Sequence, residues 1–315
     1  MATAATSSRP AALRSGRPWR AGSRRPPGEP RRIGYLYILP AYVVFALFLL
    51  VPLVRAGVLS LYEWNGLTLG RWVGLDNYRA VVADQGLRSA FGHAMVLVLF
   101  YAVVPVCVAL ALVATMTRAR VRGLGFYRTV LFLPQVVAMV VVAVTWRQIY
   151  APNGPLNQLL RAVGLDGLTR AWLGDFTLAL PAVGFIGTWV QMGLCIVLFL
   201  AGVSKIPREL YEAVRIDGGG AVREFFTVVV PGLRNEISVA LTLTVIAALR
   251  NFDLIYVTTR GGPGTSTTVP SFEVYRRAFE LGQVGSAAAV AITLTAIIFV
   301  LSFAITRVAE RGDES

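Results

Sequence analysis

The stretch Ser204-Lys-Ile-Pro-Arg-Glu-Leu-Tyr-Glu-Ala-Val-Arg-Ile-Asp-Gly-Gly-Gly220-Ala-Val-Arg-Glu-Phe-Phe-Thr-Val-Val-Val-Pro231 separates two long apolar runs and reads as a helix, a hinge and a second helix. Pro207 suits a first helical turn, where a backbone N–H has no intrahelical use. Glu209 in the same turn complements the positive end of the helix dipole. Ile206, Leu210, Ala213 and Val214 follow at helical spacing and make one apolar stripe. Asp217 and the glycines after it stop that helix, because glycine tolerates the positive φ of a sharp turn. A second helix is expected to start near Ala221 and to lead into the next apolar run. Such a segment either lies flat on lipid headgroups or protrudes as a docking element. The stripe is narrow, the charges are mixed rather than basic, and three consecutive glycines cost order without local compensation. Those features favour the docking element.

Outward from this loop the chain is apolar. Of its 315 residues, 56% are hydrophobic and 15% charged, against about 25% charged in soluble domains; mean hydropathy is +0.63. There are too few charges to coat a soluble particle of this size. A helix crossing a ~30 Å hydrocarbon core needs about 20 apolar residues. Six stretches qualify, at 34–54, 94–116, 126–147, 178–201, 237–257 and 286–306. The fifth is unusual in holding Arg250, Asn251 and Asp253. Arg250 and Asp253 are three apart, so on a continuous helix they are expected to pair on one face, leaving Asn251 to point elsewhere. Residues 1–32 contain eight arginines and read as a disordered basic tail. The apolar run that follows is too long for a cleaved signal and reads as an uncleaved span.

With the amino terminus inside, the inside segments carry 18 Lys and Arg and the outside loops nine. Basic residues concentrate on the cytoplasmic side, so both termini are expected in the cytoplasm of a cell whose plasma membrane holds the chain. The net charge of +13 then belongs to cytoplasmic loops facing lipid, not to a nucleic-acid surface. The inventory leaves no catalytic or metal site. His93 is the single histidine, and Cys107 and Cys195 lie in apolar runs as expected buried hydrophobes. Lys205 is the single lysine and is followed by Ile206, so no Walker A loop exists to bind ATP.

Glu212-Ala213-Val214-Arg215-Ile216-Asp217-Gly218, with Phe225-Phe226 and Pro231, resembles the "EAA" loop of permease subunits of binding-protein-dependent ABC importers. Two positions depart: Val214 replaces the second alanine, and Gly219 replaces the alanine after Asp-Gly. Gly74-Leu75-Asp76-Asn77-Tyr78, Trp146 to Tyr150 with Gly154-Pro155-Leu156-Asn157, and Asn251 to Gly264 with Tyr275 and Phe279 are similar to segments of the maltose and glycerol-3-phosphate branch. The resemblance covers about 34–306. It implies an all-α membrane protein of six transmembrane helices, the type I importer permease fold, with a cytoplasmic coupling helix. Its parts are the tail 1–32, the first helix and external loop at 33–86, the five-helix transmembrane domain at 87–307 with the EAA loop at about 204–232, and a tail at 308–315.

The resemblance also implies function. Such a chain is not an enzyme. It pairs with a second permease, most often a different one, to enclose the pathway for a sugar or sugar derivative. Two ATPase subunits consume the ATP, and an extracytoplasmic solute-binding protein delivers the solute. Leu210, Glu212, Ala213, Val214, Asp217 and Gly218 are the expected docking and coupling residues. Trp189, Gln191, Thr244 and Asn251 are the expected pathway residues, because sugars are held by aromatic faces and by amides that meet hydroxyls as donors and acceptors. His93 is expected to be an interfacial side chain. A stand-alone secondary transporter of small polar solutes is the alternative; the absence of an evident internal repeat speaks against it.

Overall fold

A computed structural model describes residues 31–118 and 123–310. The expected basic tail falls outside these residues, except for Arg31 and Arg32, which already belong to a helix. The chain divides into two compact units, residues 1–52 and 53–315. The first holds most of helix α1 (Tyr35–Leu59), which passes through a π-helical turn at Ala46–Leu50.

In the second unit a two-stranded antiparallel hairpin, β1 (Tyr62–Glu63) and β2 (Arg71–Trp72), precedes the short α2 (Asp76–Ala83) and the long α3 (Gln85–Met116). There follow α4 (Gly125–Val136), α5 (Met139–Ile149), α6 (Pro155–Ala162), α7 (Ala179–Val203) and α8 (Arg208–Ile216). The chain continues through α9 (Ala221–Gly232), α10 (Arg234–Leu249), α11 (Asp253–Thr258), α12 (Pro270–Tyr275) and α13 (Val284–Glu310).

Helices α1, α3, α7 and α13 are each long and apolar enough to cross a bilayer, and counting α4–α5 and α9–α10 as one bent span each gives six. On that count the six expected spans are present, with two corrections. The third stretch is not one helix: α4 and α5 meet at 98°. Pro134 lies inside α4 and has no N–H to give the preceding turn. Val137 and Ala138 then adopt extended backbone, with ψ of 136° and 133°. At ~1.5 Å per residue neither half alone spans ~30 Å. The fifth stretch is also interrupted. Helix α10 ends at Leu249, and α11 begins only at Asp253. A further 71° bend separates α9 from α10 just after Pro231-Gly232. The last helix continues to Glu310, beyond the boundary expected at 307.

Helix α7 is the core of the unit. It is buried along most of its length, and glycines let its neighbours come close. A Cβ on Gly187 would overlap the Tyr101 ring of α3, and one on Gly193 would overlap the Leu131 carbonyl of α4. Small residues at such contacts allow the close backbone approach on which packing within a membrane depends. Cys195 is buried in this core, whereas Cys107 is exposed, contrary to expectation.

The recognisable loop segments are structural staples. Asn77 Nδ2 donates to Ser60 O (2.8 Å) and Tyr62 O (3.0 Å), fastening α2 to the hairpin. Asn157 is buried, donates to Arg170 O at 2.9 Å and accepts from Trp172 Nε1 at 2.9 Å. His93 is half-buried, and its Nδ1 bonds to Thr268 O at 2.9 Å, tying α3 to the glycine-rich loop after α11.

Arg277 joins the starts of α3 and α13. It donates to Asp84 Oδ2 (2.7 Å) and Ser286 Oγ (2.8 Å) and approaches Glu273 Oε2 (3.4 Å). Asp84 also caps α3 through the N–H groups of Gly86 and Leu87. Burial alone would raise the Asp84 pKa, but the Arg277 hydrogen bond and the two N–H donors outweigh it and hold the carboxyl below its ordinary range. A depressed folded-state pKa adds stability above the ordinary carboxylate range, and this is lost as pH falls through the folded value. Asp84→Asn keeps a good cap and removes the charge, whereas Asp84→Ala loses both, a further ~1 kcal/mol. Thermal unfolding in detergent should rank wild type above Asn above Ala at neutral pH. The gap between wild type and Asn should close in acid.

Candidate coupling loop and pathway residues

The segment from 204 to 232 folds as its sequence reads. Pro207 stands at the N-cap position of α8, Glu209 lies in the first turn, and Asp217 is the C-cap. Gly218 takes a φ of +72°, and the N–H of Gly219 closes back on Val214 O at 2.8 Å. The next helix starts at Ala221. Leu210, Glu212, Ala213, Asp217 and Gly218 are all exposed, but Leu210 and Glu212, two apart on α8, point about 200° apart, so the five do not share one helix face.

Val214 is placed differently. It is half-buried against the turn, and a Cβ on Gly219 would stand 2.5 Å from its Cγ1. The two departures from the EAA pattern are therefore a fitted pair, the larger side chain at 214 occupying the space left at 219. Sequence reading missed Ile216, which is 85% exposed and continues the Leu210–Ala213 row at the next helical step. It also missed Val222 and Phe226, both exposed on the return helix. Their signal was the same three-and-four spacing, carried past the turn.

The four expected pathway residues do not converge. Trp189 and Gln191 are two apart on α7, so they point about 200° apart. Trp189 is on the more exposed face, edge-on to Trp146 at 5.6 Å. That face borders a cavity of about 640 Å³ lined by Phe100, Trp146, Tyr150, Trp172 and Phe185, among other almost wholly apolar groups. A sugar hydroxyl placed there would lose its water without gaining a partner. Gln191 is buried, and its Oε1 has no hydrogen-bond partner. Thr244 is fully buried, and its hydroxyl is spent on Ala240 O of its own helix at 2.8 Å.

Asn251 lies at the break between α10 and α11. It is 6% exposed, and its Nδ2 is unpartnered. Its backbone carbonyl accepts from Ser271 Oγ of α12 at 2.8 Å. The expected Arg250–Asp253 pair is absent among the described residues, and both side chains are exposed. The break is the physical reason: with no continuous helix the two charges share no face, and each reaches the surface while the neutral amide turns inward. No group of three or more His, Cys, Asp or Glu that could hold a metal ion occurs among the described residues.

Residues 123–312 match the family model described as "Binding-protein-dependent transport system inner membrane component". The probable ABC transporter permease protein YurN of Bacillus subtilis is 37% identical over 90% of this chain and 97% of its own length. The diacetylchitobiose uptake system permease protein NgcF of Streptomyces coelicolor is 34% identical over 86% of this chain and 81% of its own. A solved bacterial ABC transporter that imports the polysaccharide alginate contains a chain of the same fold, with a TM-score of 0.72 at 22% identity, covering 89% of this chain and 96% of that one.

Proposed function

Because the chain belongs to the family of binding-protein-dependent transport system inner membrane components, we propose that it lines half of a sugar pathway and takes its driving force from a separate ATPase through residues 204–232. It is a multi-pass membrane protein and the permease subunit of a carbohydrate ABC importer. Its partners are a second, non-identical permease, two ATPase subunits and an extracytoplasmic solute-binding protein. The observation that carries the coupling role is the exposed helix–glycine–helix element between α7 and α10, on which Leu210, Ala213 and Ile216 follow one another at three-residue spacing and Glu212 is also exposed. The bias of basic residues supports a cytoplasmic position for this element and both termini. The chain catalyses no reaction and needs no cofactor of its own; ATP is consumed by its partner. Relatives named for diacetylchitobiose, lactose and trehalose/maltose uptake support a sugar or sugar derivative as solute.

Affinity purification of the tagged chain from its native membrane tests this reading. A second permease and an ATPase subunit should co-purify in stoichiometric amounts. Lone chain that accumulates maltose, lactose or diacetylchitobiose in liposomes on an ion gradient alone would instead establish the stand-alone transporter.

Gln191 and Asn251 are the pathway residues the structure recommends. A buried amide atom without a partner costs about 1–3 kcal/mol. An acceptor on Gln191 and a donor on Asn251 suit hydroxyls, which both give and take hydrogen bonds. Contact requires the helices around them to part, as alternating access demands. Asn251→Leu should lower uptake about tenfold at normal complex yield, the effect of ~1.4 kcal/mol. Undiminished uptake would remove Asn251 from the pathway.

A further inference from the structure

We propose that Glu224 is a positioning residue that locks the coupling helix to its return arm and turns a glycine hinge into a fixed elbow. The proposal rests on the reading of residues 204–232 as the ATPase-docking loop. Three consecutive glycines, Gly218 to Gly220, connect α8 to α9. Glycine keeps more backbone freedom than any other residue, so an unbraced joint of this kind would absorb a push on α8 rather than pass it to the spans.

The joint is bridged. Glu224, in the first turn of α9, is 3% exposed. A carboxylate is almost never buried this deeply unless it is paired. Its Oε2 forms an ion pair with Arg215 Nε at 3.4 Å, and Arg215 is in the last turn of α8. Tyr211 lies one turn earlier on the same face of α8. Its hydroxyl is buried and unpartnered. Burial and the negative charge of Glu224 raise its pKa, so the phenol stays a neutral donor in the field of the carboxylate.

A second ion pair braces the base of the loop. Lys205 Nζ, just after α7, meets Glu236 Oε1 in the first turn of α10 at 3.1 Å. Gly202 and Gly232 tighten the same base. A Cβ on Gly202 would stand 2.5 Å from Leu233 Cδ2, and one on Gly232 would stand 2.6 Å from Ile206 Cδ1. With both ends fixed, motion of α8 is delivered to α7 and α10 together.

The test uses the complete importer purified with its partners and reconstituted in liposomes with its binding protein. The probe is whichever of maltose, lactose or diacetylchitobiose it imports. Glu224→Gln keeps the shape and removes the charge; Arg215→Ala removes the partner. Each should give a normal yield of complex, about fivefold lower uptake and a rise in ATP hydrolysed per sugar imported. The double variant should be no worse than Glu224→Gln alone, because Arg215 acts through that carboxylate, and Glu224→Asp should recover part of the loss. Wild-type ATP per sugar in both single variants, or additive losses in the double variant, would overturn the proposal. So would a fall in complex yield with the surviving complexes fully coupled, since that is a packing role. Asp217→Arg in the same assay separates the levels. If it and Gly218→Pro both stay coupled, the docking-loop reading itself fails; if Asp217→Arg uncouples while Glu224→Gln does not, only the brace falls.

Discussion

Gly218→Pro is expected to abolish sugar-stimulated ATP hydrolysis and uptake while the permease still inserts and assembles. Gly218 ends α8 with a φ of +72°, and its N–H bonds to Arg215 O at 3.1 Å. Proline holds φ near −65° and has no N–H, so it loses both the turn and the bond, at ~3 kcal/mol or more. No Cβ clash contributes, because nothing lies within 4 Å of the Gly218 Cβ position. The damage is therefore confined to the direction of the chain between α8 and α9. The spans keep their contacts, while the proposed docking surface swings away from where a partner ATPase would meet it.

Asp217→Arg tests the same surface without disturbing the backbone. A carboxylate at a helix C-terminus faces the negative end of the dipole, and a cation there is favoured by about 0.3–1 kcal/mol. The substitution should make α8 itself more stable. Lost coupling in that variant cannot then be ascribed to a melted helix, and it identifies Asp217 as a group that meets the partner. Coupling that survives both Gly218→Pro and Asp217→Arg would show that force enters elsewhere.

The helix–glycine–helix loop was legible because several local signals agree there: an acidic first turn, an apolar row at helical spacing, and glycine where φ is positive. Span count was legible for a different reason. Apolar length is a sum over residues, and it survives a bend. The bend in the third stretch was not legible by that measure, since Met139–Ile149 is as apolar as the helix before it; Pro134 followed by Gln135 was the only local sign. The pathway residues were the least legible. Thr244 on an apolar helix looks the same in sequence whether its hydroxyl faces a ligand or, as here, its own backbone. The divergence of Trp189 from Gln191 was readable, because a spacing of two never shares a helix face. Arg250 and Asp253 were misread because pairing three apart presupposes the continuous helix that the structure interrupts. The glycines of α7 carried information that hydropathy ignores, since a glycine in a long apolar helix marks where a neighbour comes too close for a side chain.

The same substitution at two glycines should give opposite signs, with Gly193→Ala strongly disruptive. A Cβ on Gly193 would overlap the carbonyl oxygen of Leu131 and stand 3.0 Å from Phe132 Cα, so the obstacle is the backbone of α4 rather than a side chain that could rotate away. Helix α4 would have to move off α7. It has little freedom to do so, because it turns through 98° into α5, whose Val142 and Ala143 are buried in the same core as Val183 and Ile186 of α7. Overpacking of this kind costs about 1–3 kcal/mol, and a rigid obstacle puts it at the upper end. Gly92 on α3 is the control: it is exposed, and nothing lies within 4 Å of its Cβ position. Alanine there should stabilise the helix by up to ~1 kcal/mol through propensity alone. Thermal unfolding of the detergent-purified protein should place Gly193→Ala below wild type and Gly92→Ala at or above it. Equal stability of the two variants would mean that α4 does not press on α7, and the bent third span would then need a different partner in the fold.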